Sequence, residues 1–355
     1  MRYRNPALVL TSKPIAVLAI AMLVLTMLTS CSHKKKATSK SSSTSSSAST
    51  TPTTTAPATP KPRPVNPLTG IGAPPTTPVI AVKVDDTPPG RPQVGIDKAD
   101  VVYIEEAEGG LTRLAAVFGT NKPVVGYVRS TRPSDPDLLL QYGKITEAAS
   151  GGGHDALPLL DKSGIKGWIM DRGAAYYSRV SRYQSDYINV VLDLSKVAKK
   201  AKTPAPRSIG WTWNASTAAL PKTSGRRIIT KVGSQTVEFR YNPAMKKYIR
   251  YIDGVAQKAA DGKYVATSNV IVQSCKVVPH PQDTDVNGNP SQFTYTTGKN
   301  KVVVFRDGRR IDGTWSRPTL NSGTTLTDAS GKAIALAPGG AWVALARIGT
   351  KVSSS

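Results

Sequence analysis

Apolar residues follow three regimes along the chain. Ile15–Leu28 is an unbroken apolar run; residues 32–64 are almost entirely Ser, Thr, Ala, Pro and Lys; from Asn66 onward short apolar runs alternate with Gly, Pro, Asn and Asp. The third regime predicts strands bounded by turns: Pro78–Val84, Ala99–Ile104, Leu111–Phe118 and Val124–Val128. Asp135–Gly143 and His154–Ser163 read as short helices, followed by a strand at Gly167–Met170. A strand at Tyr187–Leu194 and a basic helical segment at Ser195–Lys202 close this part. Beyond about Ile228 the signals are hairpin-like: Thr236–Tyr241 and Lys247–Ile252 flank Asn242-Pro243, and Lys301–Phe305 and Arg309–Trp315 flank Asp307-Gly308. The expected architecture is a mixed α/β domain over residues 66–205 followed by a smaller β-rich domain over 226–348.

The first regime has the layout of a secretory leader over residues 1–30. Arg2, Arg4 and Lys13 precede the apolar run, which is shorter than the roughly 20 residues of a spanning helix. It ends Leu28-Thr29-Ser30-Cys31, a lipobox-like sequence in which small residues admit a signal peptidase and the Cys31 thiol receives the lipid. Lys34, Lys35 and Lys36 would then sit at headgroup level, where each is worth about 1 kcal/mol against anionic lipid. Residues 31–65 cannot bury enough apolar surface to order themselves, so they predict a disordered stalk. A flexible segment of about 35 residues has an r.m.s. span of about 30–35 Å. The expected location is the extracytoplasmic face of a cell membrane, reached through a lipid anchor.

Charge changes meaning once it is placed. The formal net charge is +24, but no Asp or Glu precedes Asp85, and the nine Lys/Arg of residues 1–75 account for part of it, leaving +15 beyond. Outside a membrane, the anionic partners that suit such a surface are lipid headgroups and phosphate- or carboxylate-bearing wall polymers, so no nucleic acid is expected. The only cysteines are Cys31 and Cys275. With Cys31 lipidated, no disulfide can form within the chain, and Cys275, in VIVQSCKVV, reads as a buried strand thiol.

Several long motifs resemble the YerB-like lipoprotein family, a two-part domain of unknown function 3048. They are NPLTG (Asn66–Gly70), VDDTPPGRPQVGIDKADVVYIEEAEGGLTRLAAVF (Val84–Phe118), VGYVRSTRP (Val125–Pro133), SGGGHDALPLL (Ser150–Leu160), VVVFRDGRRIDGTW (Val302–Trp315) and LAPGGAWVAL (Leu336–Leu345). The resemblance spans nearly all of Asn66–Leu345 and implies lipoprotein export and a two-part fold, with no defined reaction. One departure stands at Asp171–Val190 (DRGAAYYSRVSRYQSDYINV), which has no His.

The candidate chemistry clusters between Asp85 and Asp155, at predicted strand ends, where α/β folds build their sites. Arg91, Arg129, Ser130, Arg132, Gly152 and His154 are the expected ligand-binding residues. Guanidinium and hydroxyl donors flank Ser130-Thr131, and the glycine run Gly151–Gly153 enters a helix whose N–H groups suit an anion. Glu105, Glu106, Asp85 and His154 are the candidates for acid–base catalysis. Against both stands an ion-pair network that merely fixes loops. The glycine run lacks the GxxxxGK[ST] pattern, and no GxSxG surrounds a serine. Asp283-Thr-Asp285-Val-Asn287-Gly288 opens like a calcium loop, yet Thr294 replaces the closing Glu and Pro290 interrupts it, so an Asx-rich turn is expected and no metal or cofactor. His280, between two prolines, reads as a solvated loop residue, and Trp211-Thr-Trp213 would set two rings on one strand face, where core packing competes with glycan stacking.

The function these features favour is a non-enzymatic envelope lipoprotein that binds an anionic envelope component or a partner protein. The alternative is a hydrolase or transferase acting on cell-wall glycan through the acidic residues, and a third class is an assembly factor recruited through the β-rich part.

Overall fold

The computed structural model describes residues 64–181 and 187–355. The expected leader, Cys31 and nearly all of the stalk lie outside the described residues. Among the described residues no helix is long and apolar enough to cross a membrane.

The strands and helices are, in chain order, β1 (Ile80–Asp85), β2 (Val101–Glu106), β3 (Thr112–Phe118), β4 (Val124–Gly126), α1 (Asp135–Leu139), β5 (Thr146–Ala149), α2 (Ala156–Ser163), β6 (Lys166–Ile169), β7 (Tyr177–Arg179), β8 (Val190–Asp193), α3 (Leu194–Lys200), β9 (Thr212–Trp213) and β10 (Arg227–Val232). Then come β11 (Gln235–Asn242), β12 (Lys247–Ile252), β13 (Val255–Ala256), β14 (Ala266–Thr267), β15 (Asn269–Thr284), β16 (Pro290–Tyr295), β17 (Gly298–Arg306), β18 (Arg309–Arg317), β19 (Thr325–Asp328), β20 (Ala335–Leu336), β21 (Ala341–Arg347) and β22 (Ser353–Ser354). The helices fall where the pattern predicts them but span only five to eight residues. The α/β reading of residues 66–205 is therefore corrected toward β: the apolar runs are too short for long helices, and strands carry most of this segment.

The main sheet runs β19-β18-β17-β15-β21-β2-β3-β1-β5-β6, with β16 paired to β15. Strands from both sides of residues 205–226 enter it, joined where β21 lies parallel to β2 with Val101 opposite Ala341. Every residue of β1, β2 and β3 is buried, as expected of central strands covered on both faces. Ala81, Ala115, Val117 and Tyr103 pack on one face with Leu138, Leu139 and Leu160 of α1 and α2. Ile80, Val82, Val84 and Leu114 pack on the other with Leu194 and Val197 of α3 and with Ile228 and Phe239 of the second sheet. That second sheet runs β13-β12-β11-β10-β22, with β14 on β12; β4-β8-β7 and β20-β9 are smaller pairings.

Local chemistry fixes the connections. Asp307 and Gly308 both take positive φ, 51° and 71°, the left-handed pair that a two-residue hairpin requires. Gly164 ends α2 at φ 76°, and Asp193 caps α3 by accepting from the N–H groups of Ser195 and Lys196 at 3.0 and 3.3 Å.

Candidate functional site

The site grows from the ends of β1 and β3. Asp85 closes β1, and its Oδ1 accepts from the Thr87 N–H and hydroxyl at 2.7 and 2.5 Å. Its Oδ2 faces Arg129 Nε at 3.3 Å and an Arg113 guanidinium nitrogen at 3.7 Å. A side chain at Gly90 would put its Cβ 2.3 Å from Asp85 Oδ1, so the Pro88-Pro89-Gly90 turn closes over the carboxylate only with glycine there. Next to it, Asp86 takes two parallel hydrogen bonds from Arg250 of β12, at 2.8 and 2.7 Å, and one from the Thr112 hydroxyl at 2.7 Å. Burial alone would raise the Asp86 pKa; the Arg250 guanidinium outweighs it and holds the carboxyl below the ordinary range.

Beside Asp85 opens a cavity of about 410 Å³. Glu108, Arg113, Arg129, Ser130 and Arg132 line it together with Gly152, Gly153 and residues 283–287. Arg113 is 4% exposed, and its Nε has no hydrogen-bond partner among the described residues. Burial pushes its pKa down to about 10; Asp85 opposes the shift, and Arg132 and Arg129 add to it. Arg132 is held by Glu108, Nε at 2.6 Å and a second nitrogen at 2.7 Å. Burial would raise the Glu108 pKa, but Arg132 and the Ser291 hydroxyl bring it below the usual value. Two guanidiniums of the lining thus share the Asp85 carboxylate, while Glu108, Asp283 and Asp285 add acidic groups to it.

The glycine run serves close approach. A Cβ on Gly153 would lie 1.9 Å from Asp283 Oδ1, and one on Gly152 2.8 Å from both Thr131 and Leu157. The anion at the start of α2 is the chain's own: Asp283 Oδ1 accepts the Asp155 N–H at 3.1 Å, and its Oδ2 accepts the Ser291 hydroxyl at 2.6 Å. Asp285 accepts the N–H groups of Asn287 and Asn289, both at 2.9 Å, the Asx-type turn expected of this loop.

Of the expected ligand-binding residues, Arg129, Ser130, Arg132 and Gly152 line this cavity. Arg91 lines a different one of about 310 Å³ with Arg250, and His154 stands exposed beside Asp155. The expected acid–base residues do not converge. Glu105 is buried against Lys83; Glu106, on the opposite face of β2, makes a two-point pair with Arg347 at 2.7 and 2.8 Å; Asp85 sits under the arginines. His280 is corrected from solvated loop to half-buried β15 residue, its Nε2 3.0 Å from Asp155 Oδ2. Trp211 and Trp213 meet edge to face, 6.2 Å between centroids, with Trp211 buried, so that pair packs in the core. Cys275 is fully buried, and burial pushes its thiol up to about 12. Arg113 and Glu108 in EAEGGLTR were legible as members of an ion-pair network and Asp283 as the start of an Asx-rich turn; that all three line one cavity was not legible, because it depends on how the ends of β2, β3 and β15 are brought together.

Residues 68–207 match the family described as "Protein of unknown function (DUF3048) N-terminal domain", and residues 228–343 match its C-terminal domain. The chain belongs to the DUF3048 family. "Putative lipoprotein YerB" of Bacillus subtilis (strain 168) is 26% identical over 280 residues, covering 74% of this chain and 80% of that protein. The crystal structure of YerB from Bacillus subtilis aligns with a TM-score of 0.67 at 22% identity, over 82% of this chain and 100% of that one. Arg113, Arg129, Arg132 and Gly152 all fall within the DUF3048 N-terminal match, while Asp283 and Arg250 fall within the C-terminal one. The cavity therefore draws its walls from both DUF3048 segments.

Proposed function

We propose that this DUF3048 protein is an exported lipoprotein, anchored through Cys31 on the extracytoplasmic face, whose folded part binds a carboxylate or phosphate group of an envelope component. The observation that carries the reading is the convergence of Arg113, Arg129 and Arg132 on one cavity, with a buried Arg113 nitrogen left without a hydrogen-bond partner among the described residues. Guanidinium forks are suited to such groups, and a desolvated guanidinium binds them more strongly than one in water. The acidic lining at Asp283 and Asp285 disfavours a dense polyanion. It suits a ligand bearing one acidic group, with a cationic or neutral portion lying toward residues 283–287.

Binding is favoured over hydrolysis because Glu105, Glu106 and Asp85 are each taken up by a neighbouring cation and face different surroundings. The test is calorimetric titration of the full chain with muropeptides that carry free stem carboxylates, and with the same glycans stripped of peptide. Arg129→Ala should weaken muropeptide binding about tenfold, as loss of a charged hydrogen bond does, and reduce its salt sensitivity. Equal affinity for the stripped glycan, or an unchanged Arg129→Ala variant, would refute the assignment.

A further inference from the structure

Beneath the cavity lies a buried cluster that the anion-binding reading does not use. Lys83 on β1 is 1% exposed, and its Nζ touches Glu105 Oε1 on β2, itself 2% exposed, and donates to Asp135 Oδ1 at 2.8 Å. Strands β1 and β2 do not pair with each other; β3 lies between them, with Ala115 opposite both Lys83 and Tyr103. The small Ala115 side chain lets Lys83 lean across the middle strand to Glu105. Among the described residues Glu105 Oε1 accepts no hydrogen bond. Asp135 Oδ2 accepts from the Thr131 hydroxyl at 3.1 Å and the Arg132 N–H at 2.6 Å, and the same hydroxyl reaches Glu147 Oε1 at 2.5 Å. Glu147 is fully buried, and its other oxygen accepts no hydrogen bond among the described residues.

We infer that Lys83 and Glu105 are a modification site: the two side chains condense to an intramolecular amide that ties β1 to β2 across β3. An ammonium and a carboxylate held in contact in a dry interior incur a large desolvation penalty, and a neutral amide removes both charges. The surroundings supply the proton transfers. Burial lowers the Lys83 pKa, which favours the free amine. Burial and then Asp135 raise the Glu147 pKa, which keeps that carboxyl protonated beside Asp135. Lys83 passes one ammonium proton to the Glu105 carboxylate, the freed amine lone pair forms the Nζ–Cδ bond to the resulting carboxyl, and Asp135 takes a second proton from the nitrogen. The tetrahedral centre collapses with cleavage of Cδ–Oε1, and the departing hydroxyl leaves as water with the proton returned by Asp135. Ammonium plus carboxylate thus becomes amide plus one water, and no external reagent is needed.

Trypsin digestion of the full chain followed by tandem mass spectrometry tests this directly. An acylated Lys83 resists trypsin, so the fragment running through Lys83 to Lys98 should appear joined to Ala99–Arg113, lighter than the two separate peptides by one water, about 18 Da. Glu105→Gln should give the same joined product with ammonia as the leaving group, whereas Lys83→Arg and Glu105→Ala should give none. Cleavage after Lys83 in the wild-type chain with both peptides at their unlinked masses would overturn the inference, as would a link from Lys83 to Asp135. The wild-type measurement decides the matter without any variant, and it is independent of ligand binding.

Discussion

Arg250→Ala is the sharpest test of how the two DUF3048 segments are held together. Asp86 at the end of β1 and Arg250 on β12 are separated by 164 residues, are 0% and 3% exposed at their side chains, and meet through two hydrogen bonds at 2.8 and 2.7 Å. Removing one partner of a buried pair leaves the other uncompensated and costs about 3–5 kcal/mol. Thr112 and Arg91, the latter 3.7 Å from Asp86 Oδ1, remain to solvate the stranded carboxylate, so the expectation is the lower end, about 3 kcal/mol. At about 2–4 °C per kcal/mol for a domain of this size, the melting temperature should fall by roughly 6–12 °C. The assay is thermal and urea unfolding followed by tryptophan fluorescence, with Asp86→Ala and the double variant completing a thermodynamic cycle. The sign of the pH dependence follows from the depressed folded pKa of Asp86. The stabilisation is fully present above the unfolded value of about 3.9 and is lost as pH falls through the lower folded value, so the gap between wild type and Arg250→Ala should narrow only in acid. A loss under about 1 kcal/mol, the range of exposed pairs, would refute the reasoning.

Two further outcomes follow from buried titratable groups. Glu147, raised to about 8 by burial and then by Asp135, binds a proton in the folded state that the unfolded chain has released above about pH 4.3; stability should therefore decline as pH rises from there to about 8, and Glu147→Gln should flatten that decline in a urea series. Cys275, fully buried with its thiol pushed up to about 12, should react with a thiol reagent such as dithionitrobenzoate only after denaturation, and rapid labelling of the folded chain at neutral pH would contradict its place in the core.

Local features of this fold were legible because local chemistry dictates them. The Asp307-Gly308 turn needs two left-handed residues, and the apolar runs of β1 to β3 are bounded by Pro and Gly, so their positions can be read without tertiary knowledge. Arg129, Ser130, Arg132 and Gly152 could be singled out because loops after strand ends collect polar chemistry. What could not be read is register. That Lys83 and Glu105 share a face with Ala115 between them depends on β3 pairing with both neighbours, and a one-residue slip of β2 would exchange Glu105 for Glu106. The same slip would bring Glu106, now paired with Arg347 on the other face, to the cluster beside Lys83. The parallel pairing of β2 with β21, some 240 residues apart, is equally invisible to any window of sequence, yet it is one of the contacts that join the C-terminal segment, which carries Asp283 and Arg250, to the N-terminal strands. The arginines of this site and their Asp85 and Glu108 partners are thus set by local motif, while the Asp283 carboxylate that β15 brings to the cavity and the guanidinium that locks Asp86 are set by long-range strand order.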